Sequence, residues 1–253
     1  MKKRVVYFQN YEEDVVTSKN QDYKLKDNYK WISNNIFYRF TSFLCHMFFL
    51  IIAYFYCKFI LHVTIKNKKV LKGYKGYFLY ANHTQELGDV LDPILISFPI
   101  HPYFVCSPAN LGVPVIGKIL PNAGALPIPD SIKGLIKLKE GITHKIKHNK
   151  CVVIYPEAHV WPYYAKIREF PNTSFHFPYE NNAPVFVATT TYQKSKIFKK
   201  PKITIYIDGP YKVDDKLSKK ENIQKLHDMV YNIMQERSKL SNIEYIKYIK
   251  KGE

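Results

Sequence analysis

The chain has 253 residues, which is enough for one sizeable α/β domain with an appendage or for two small domains. Hydrophobic residues make up 46% of it and charged residues 23%, so intrinsic disorder of the whole chain is excluded. Lys and Arg number 38 against 21 Asp and Glu, a net charge of 38 − 21 = +17. A field of this sign attracts anionic partners, which include nucleic acid, an anionic lipid surface and acidic substrates.

The first 65 residues divide into a polar part and an apolar part. Residues 1–36 form a charged N-terminal arm, whereas residues 37–65 are rich in apolar and aromatic side chains and carry no charge between Met47 and Cys57. A spanning helix needs about 20 predominantly apolar residues, and the uncharged core is shorter than that. Because lysines flank it on both sides, residues 37–65 are predicted to be a membrane-binding helical segment at an anionic surface. One leaflet and a full span are both open, and the alternative is a soluble core helix.

After the turn marked by Gly73 and Gly76, short apolar strands alternate with helices. The predicted strands are Tyr77–Tyr80, Tyr103–Cys106, Cys151–Tyr155, Pro184–Thr189 and Ile203–Ile207. The predicted helices are Pro93–Phe98 with Asp92 as N-cap, Ser131 to about His148, and a C-terminal helix that begins at a capping box of Ser218 and Glu221. This alternation predicts an α/β fold with a mixed, largely parallel sheet flanked by helices, formed by a domain over residues 66–253.

A candidate for proton-transfer chemistry follows the first of these strands. The segment Tyr80-Ala-Asn-His-Thr-Gln-Glu-Leu-Gly-Asp89 places His83 and Asp89 in the loop after a strand, where α/β folds tend to bind ligands. A carboxylate that holds one ring nitrogen of a histidine leaves the other nitrogen free to accept a proton. A His–Asp pair alone is a weak signal, and the alternative is a polar loop whose histidine satisfies a backbone carbonyl.

Three further segments strengthen this interpretation by their order along the chain. The strand Val152-Val-Ile-Tyr155 runs into Pro156-Glu157-Ala-His159, Gly124-Ala-Leu-Pro-Ile128 lies between the two motifs, and Ala183-Pro-Val-Phe-Val187 follows them. Together they resemble the glycerolipid acyltransferase family typified by bacterial 1-acylglycerol-3-phosphate acyltransferases. That family has a His-x4-Asp motif after a strand, a Gly-Ile-Pro-like middle strand, a Pro-Glu-Gly block and a late apolar strand with proline. The resemblance covers roughly residues 65–210.

The sequence also departs from the family pattern. Five residues rather than four separate His83 from Asp89, which leaves Glu86 and Asp92 as rival partners. The family's Pro-Glu-Gly-Thr-Arg becomes Pro-Glu-Ala-His-Val, and Asp130 replaces the arginine common after the middle strand. Two anion-binding positions are therefore missing from their usual places.

The resemblance implies an enzyme that transfers a fatty acyl group from an acyl thioester to the free hydroxyl of a lysophospholipid. The favoured acceptor is 1-acylglycerol-3-phosphate, which gives phosphatidic acid; a related transferase with another lipid or a non-phosphate acceptor is the alternative. His83 would be the general base and Asp89 its orienting acid. The substrate-binding residues would be Asn82, Thr84, Glu157 and His159, with Glu157 on the glycerol and Lys166 and Arg168 on the phosphate.

The same resemblance bears on cofactors, partners and localisation. It implies no metal and no redox cofactor, and a co-substrate that is acyl-CoA or an acyl-carrier-protein thioester. Both donors are acidic, which suits the basic chain. The expected setting is the cell membrane, as a monotopic or single-span protein with its active site facing the cytoplasm. A basic, membrane-attached nucleic-acid-binding protein is a distant alternative, since the charge alone supports it, and no nucleic-acid partner is expected.

Overall fold

The computed structural model describes residues 4–16, 22–26, 28–195 and 197–252. Within them the strands are Arg4–Phe8 (β1), Thr64–Lys66 (β2), Tyr77–Ala81 (β3), Pro102–Cys106 (β4), Ala125–Pro127 (β5), Cys151–Ile154 (β6), Val185–Gln193 (β7), Lys202–Tyr211 (β8) and Ile246–Lys250 (β9). The helices are Ile36–Phe55 (α1), Gly88–Ser97 (α2), Ile116–Ala123 (α3), Ile132–Lys147 (α4), His176–Asn181 (α5) and Lys219–Ser238 (α6).

Seven strands form one sheet in the order β2-β8-β7-β3-β6-β4-β5. Every neighbouring pair is parallel except β7 and β8, which are antiparallel. The predicted mixed, largely parallel sheet flanked by helices is confirmed. Since β3 and β6 are adjacent and parallel, the loops that follow them emerge at the same edge of the sheet.

Alternation along the central strands builds a core on each face of the sheet. Phe78 and Tyr80 of β3 point into a cluster with α4 and α6, whereas Tyr77 and Leu79 point into a second cluster. All four side chains are buried, as period-2 geometry on a sheet covered on both faces requires. The loop that follows β3 is therefore carried by a strand whose side chains are packed on both faces of the sheet.

Helix starts follow the local sequence in two predicted cases and depart from it in a third. Ser131 caps α4 by accepting a hydrogen bond from the Gly134 N–H, and Ser218 with Glu221 forms the predicted capping box of α6. The predicted start of α2 is wrong, because the helix begins at Gly88 and Asp92 lies inside it rather than at its N-cap. Pro93 is thus an internal residue of α2 instead of its first.

The N-terminal arm contributes to the fold at two places. Strand β1 pairs in parallel with β9 to make a separate two-stranded sheet. Trp31 is buried in the core beneath α4, and its indole Nε1 donates to the Pro127 carbonyl oxygen at 3.0 Å. The charged composition of residues 1–36 gave no sign of either contact, since both depend on partners far away in sequence.

Helix α1 lies along the domain and continues into a π-helical turn at Tyr56–Ile60. One stripe of the helix is buried, and it consists of Ser42, His46, Ala53 and, in the turn, Cys57. Contacts with α2 and α3 cover this stripe. The segment Ile36–Ile60 is long and apolar enough to cross a membrane by length and composition. The opposite side of α1 exposes a row of large apolar side chains, among them Phe37, Phe40, Phe48, Ile51 and Phe55.

Candidate active site

The structure brings His83 and Asp89 together at the carboxyl end of β3. The His83 Nδ1 atom lies 2.7 Å from Asp89 Oδ2. Asp89 sits in the first turn of α2, and the rival Glu86 side chain does not pair with the histidine. The imidazole is 19% exposed, and no described residue forms a hydrogen bond with its Nε2 atom. A carboxylate on Nδ1 favours the tautomer that carries its proton there, which leaves Nε2 to accept a proton from a substrate.

The extra residue between His83 and Asp89 is absorbed by the turn that begins α2. The Gln85 N–H donates to Asp89 Oδ2 at 2.8 Å, and the Asp89 N–H donates to the Gln85 carbonyl oxygen at 3.1 Å. Gly88 makes this tight turn possible, because a Cβ atom there would lie 2.8 Å from Gln85 Cβ. The side chain of Asp89 therefore reaches the imidazole in spite of the longer spacing.

Asp89 is a buried carboxylate whose charge has several partners. Burial raises the pKa of Asp89 above its ordinary value, while hydrogen bonds from His83 and from the Gln85 and Thr84 backbone N–H groups act in the opposite direction. The side chain is 4% exposed, so water does not compete for its oxygens. An acid in this setting orients the imidazole and stabilises the positive charge that forms on it.

Three hydrogen bonds join the loop after β6 to the His83 loop. Glu157 Oε2 accepts the His83 N–H at 2.9 Å. The Trp161 N–H donates to the His83 carbonyl oxygen at 3.0 Å, and the Tyr163 N–H donates to the Thr84 carbonyl oxygen at 2.9 Å. The N–H and the carbonyl oxygen of His83 are therefore both hydrogen-bonded to this loop, which fixes the direction of its side chain.

Glu157 and Arg168 pair with each other inside the protein. Arg168 Nη2 lies 3.4 Å from Glu157 Oε2, and the Arg168 N–H donates to Glu157 Oε1 at 2.8 Å. The two side chains are 1% and 0% exposed. Arg168 also stacks on Trp161 and donates to the backbone carbonyls of Tyr11 and His159. In this arrangement neither side chain reaches the surface of the site. The predicted contacts of Glu157 with glycerol and of Arg168 with phosphate would need a different arrangement of these side chains.

Asn82 and Thr84 brace the same loop from the other side. The Asn82 side chain accepts from the Thr190 N–H at 2.7 Å and donates to the Thr190 carbonyl oxygen at 3.1 Å. The Thr84 hydroxyl oxygen accepts from the Tyr192 hydroxyl at 2.7 Å. Both residues are buried. They anchor the His83 loop to β7, and the structure does not bring their side chains to the open face of the site.

Two other predicted site residues, His159 and Lys166, lie towards the outside of the loop after β6. His159 Nδ1 lies 2.6 Å from Asp14 Oδ1 of the N-terminal arm, and the His159 side chain is 32% exposed. Lys166 is exposed. Ala158, which stands where the family has glycine, adopts φ +62, a conformation that glycine accepts more readily than alanine.

Two features of the site were missed by the sequence analysis. Tyr155 stacks on the His83 ring, with 4.4 Å between ring centroids and an angle of 21° between the planes. The N-terminal arm covers the second loop, where Trp161 Nε1 donates to the Glu13 carbonyl oxygen at 3.0 Å. The position of Tyr155, directly before Pro156-Glu157 at a strand end, was the available signal for its contact with His83. No local pattern predicts that the N-terminal arm covers the loop after β6.

An apolar groove of about 550 Å³ lies between α1 and α2. Its walls include Tyr54, Val63, Leu95 and Phe98, and two lysines, Lys58 and Lys68, stand among them. At its α1 side lies Cys57, whose thiol neighbours the buried carboxyl of Asp92. Among the residues that the structure describes, no group of three or more His, Cys, Asp and Glu side chains is arranged to hold a metal ion.

Residues 62–192, just over half of the chain, match the family model described as Acyltransferase. The chain belongs to this acyltransferase family, which confirms the resemblance drawn from the motifs. Its fold is similar to the crystal structure of the 1-acyl-sn-glycerophosphate (LPA) acyltransferase PlsC from Thermotoga maritima, with a TM-score of 0.54 and 16% sequence identity over 81% of this chain and 88% of that one. No curated protein sequence gives a significant match.

Proposed function

We propose that this acyltransferase moves a fatty acyl group from an acyl thioester to the free hydroxyl of a lysophospholipid, with 1-acylglycerol-3-phosphate as acceptor and phosphatidic acid as product. The observation that carries the proposal is the His83–Asp89 pair, 2.7 Å apart at the carboxyl end of a buried parallel strand, with no described residue hydrogen-bonded to the imidazole Nε2. The family membership supports the reaction class, and the LPA acyltransferase named above supports the acceptor.

The chemistry follows from the orientation of His83 against Asp89. Its Nε2 takes the proton of the acceptor hydroxyl while that oxygen attacks the thioester carbonyl carbon. The tetrahedral intermediate then expels the thiolate, which receives the proton from the imidazolium, so the products are an ester and a free thiol. Asp89 stabilises the imidazolium between these two steps. The acyl group passes directly from donor to acceptor, and no side chain has to carry it.

The groove between α1 and α2 suits the acyl chain of a substrate. Its lining is predominantly apolar, and its volume of about 550 Å³ lies in the range of ligand sites. Helix α2, which forms one wall, carries Asp89 in its first turn. Lys58 and Lys68 supply positive charge for an anionic group at the lipid or thioester end.

We also propose that α1 binds one leaflet of an anionic membrane rather than spanning it. The helix packs lengthwise on the domain, from Ser42 through Cys57, so a perpendicular span would draw the domain into the bilayer. Its outer face is apolar, and Val115, Ile116 and Ile119 at the start of α3 add exposed apolar surface beside it. An amphipathic helix with a basic surround is typical of interfacial binding.

One observation favours an alternative acceptor. Arg168, the nearest arginine after the Pro-Glu motif, is buried against Glu157 and Trp161, so it is not presented to a phosphate. The outward-facing Lys166 remains as a cation near that loop, with His159 beside it. A lysolipid without a phosphate monoester is therefore the second candidate.

A comparison of acceptors tests both candidates. Purified full-length protein is incubated with an acyl thioester and, in parallel, with 1-acylglycerol-3-phosphate, a lysophosphodiester and a monoacylglycerol, and the acylated lipids are measured. The proposal expects the highest kcat/KM with the phosphate monoester. Preference for either of the others transfers the assignment to the second candidate, and no acylated product with any of them contradicts both.

A further inference from the structure

Tyr155 touches both members of the His83–Asp89 pair. Its ring lies over the His83 imidazole at 4.4 Å between centroids, with the planes 21° from parallel. Its hydroxyl donates to the backbone carbonyl oxygen of Asp89. Burial raises the pKa of Tyr155 well above its usual value, so the hydroxyl keeps its proton and remains a donor.

The bond to Asp89 has a specific reason in the sequence. In an α-helix the carbonyl of Asp89 would accept a hydrogen bond from the N–H of residue 93. That residue is Pro93, which has no N–H to give, and it lies inside α2. The Tyr155 hydroxyl supplies the missing donor. It therefore ties the turn that carries Asp89 to the end of β6.

The stacked ring has a separate effect on charge. An aromatic face attracts a cation more strongly than a neutral ring. His83 becomes an imidazolium only as it takes the proton of the acceptor, so the contact with Tyr155 strengthens at that moment. An interaction that is stronger in the transition state than in the ground state increases kcat.

We propose that Tyr155 is a positioning residue of the catalytic pair, which fixes Asp89 through its hydroxyl and favours protonated His83 through its ring. This inference rests on the proposed role of His83 as general base. Apart from the pair and Tyr155 themselves, the titratable groups around them are Asp92 of α2, Cys151 of β6, Glu157 of the following loop and Tyr192 of β7. All four stay unchanged in the variants below, so differences between variants come from Tyr155.

Two substitutions separate the hydroxyl from the ring. Tyr155→Phe keeps the stack and removes the donor; kcat falls about threefold to tenfold, the equivalent of one hydrogen bond, while the acidic midpoint of the kcat/KM–pH profile stays in place. Tyr155→Met removes the ring but fills its space with a flexible side chain. It lowers kcat about tenfold or more and moves the acidic midpoint down by up to about 1 pH unit.

Tyr80 provides a matched control. It is also buried, stacks on Phe175 at 4.4 Å between centroids, and donates its hydroxyl to the Ser174 carbonyl oxygen at 3.0 Å. Tyr80→Phe therefore loses the same kind of bond away from the catalytic pair. It lowers the melting temperature and leaves kcat and the pH profile as in the wild type.

The pH titration of the His83 ring, followed by NMR in the full-length protein, gives a readout that does not depend on turnover. Its signal is assigned by its absence in His83→Gln. A midpoint lowered in Tyr155→Met but not in Tyr155→Phe supports the stacking effect even if no acceptor is turned over, in which case only the proposed function fails. An unchanged midpoint in Tyr155→Met overturns the proposed effect of the stacked ring. If Tyr155→Met does not fold, the Phe variant decides: a kcat equal to that of the wild type overturns the role of the hydroxyl.

Discussion

Glu157 Oε2 accepts the backbone N–H of His83 at 2.9 Å, although the two lie 74 positions apart in the chain. The same carboxylate accepts the Arg168 N–H through its other oxygen and pairs with the Arg168 guanidinium. Glu157 thus connects the His83 loop to the segment that contains Arg168. Because its side chain is 0% exposed, Glu157 acts first of all by holding the site rigid.

Glu157→Gln is expected to destabilise the protein and to reduce turnover together. The amide places an NH₂ donor where the carboxylate oxygens accept from three donors, and it leaves the Arg168 guanidinium buried without an anion. Breaking a buried ion pair in this way costs about 3–5 kcal/mol. The free energy of unfolding, measured by urea titration, checks the first effect, and kcat checks the second.

A double variant and a remote ion pair control this experiment. Adding Arg168→Met to Glu157→Gln removes the orphaned charge and recovers part of the lost stability. Asp208→Asn breaks the pair with Arg237 and lowers stability while leaving kcat unchanged below the melting range. Unaltered stability of Glu157→Gln with a raised KM for the acceptor would show instead that Glu157 binds the glycerol part, as the sequence predicts.

Asp92 makes stability depend on pH. Burial raises the pKa of Asp92 from its ordinary 3.8 to about 7, and the nearby Asp89 charge adds to this. Between these two values the native state holds a proton that the unfolded state has released, so stability is full below about pH 4 and decreases as the pH rises to about 7. Asp92→Asn removes the titration. We expect it to gain about 2–3 kcal/mol relative to the wild type between pH 5 and pH 8.

The measurement is urea unfolding of both proteins at pH 5 and pH 8, with Asp214→Asn as a control that does not titrate between them. A hydrogen bond from Lys225 lowers the pKa of Asp214, so this carboxyl is ionised at both pH values and the difference between Asp214→Asn and the wild type stays the same from pH 5 to pH 8. A difference between Asp92→Asn and wild type that does not change with pH contradicts the account of Asp92.

Membrane binding is expected to depend on the outer face of α1. Phe40 and Phe48 are 58% and 60% exposed there. Burying each ring in lipid is worth about 1.5–3 kcal/mol, so Phe40→Ser with Phe48→Ser weakens partition to anionic vesicles at least tenfold. Flotation of full-length protein with vesicles measures it. Leu240→Ser, an exposed apolar residue outside α1, leaves partition unchanged. Equal flotation of the double variant and the wild type contradicts an α1 anchor.

Much of the fold could be predicted from the sequence because the patterns that specify those elements are local. The apolar run Cys151–Ile154 and the Ser218–Glu221 box each act within a few residues, and each forms the element it predicts. The pairing of β1 with β9 joins the two ends of the chain, and no pattern within either strand specifies the other. The helix around Pro93 was misplaced because the donor that permits an internal proline, the Tyr155 hydroxyl, comes from the residue that follows β6, which is far away in sequence.

The candidate site likewise contains residues that local spacing predicts and residues whose placement depends on distant contacts. His83 lies in the loop that leads into α2 and Asp89 lies in the first turn of that helix, so their spacing in sequence limits their distance in space. Whether Arg168 faces a substrate or the interior depends on Glu157 and on the N-terminal arm, which meet only in the folded protein. Residue type alone made Arg168 a candidate phosphate ligand, whereas burial decides what it can touch.

The central claim is that His83 is the general base of an acyl transfer, and His83→Gln tests it most directly. Wild-type protein and the variant are given an acyl thioester and 1-acylglycerol-3-phosphate, and phosphatidic acid is measured over time together with the melting temperature of each protein. The account predicts product with the wild type, a loss of about 10²–10⁴-fold in kcat with His83→Gln, and closely similar melting temperatures. A His83→Gln protein that forms phosphatidic acid at the wild-type rate would contradict it.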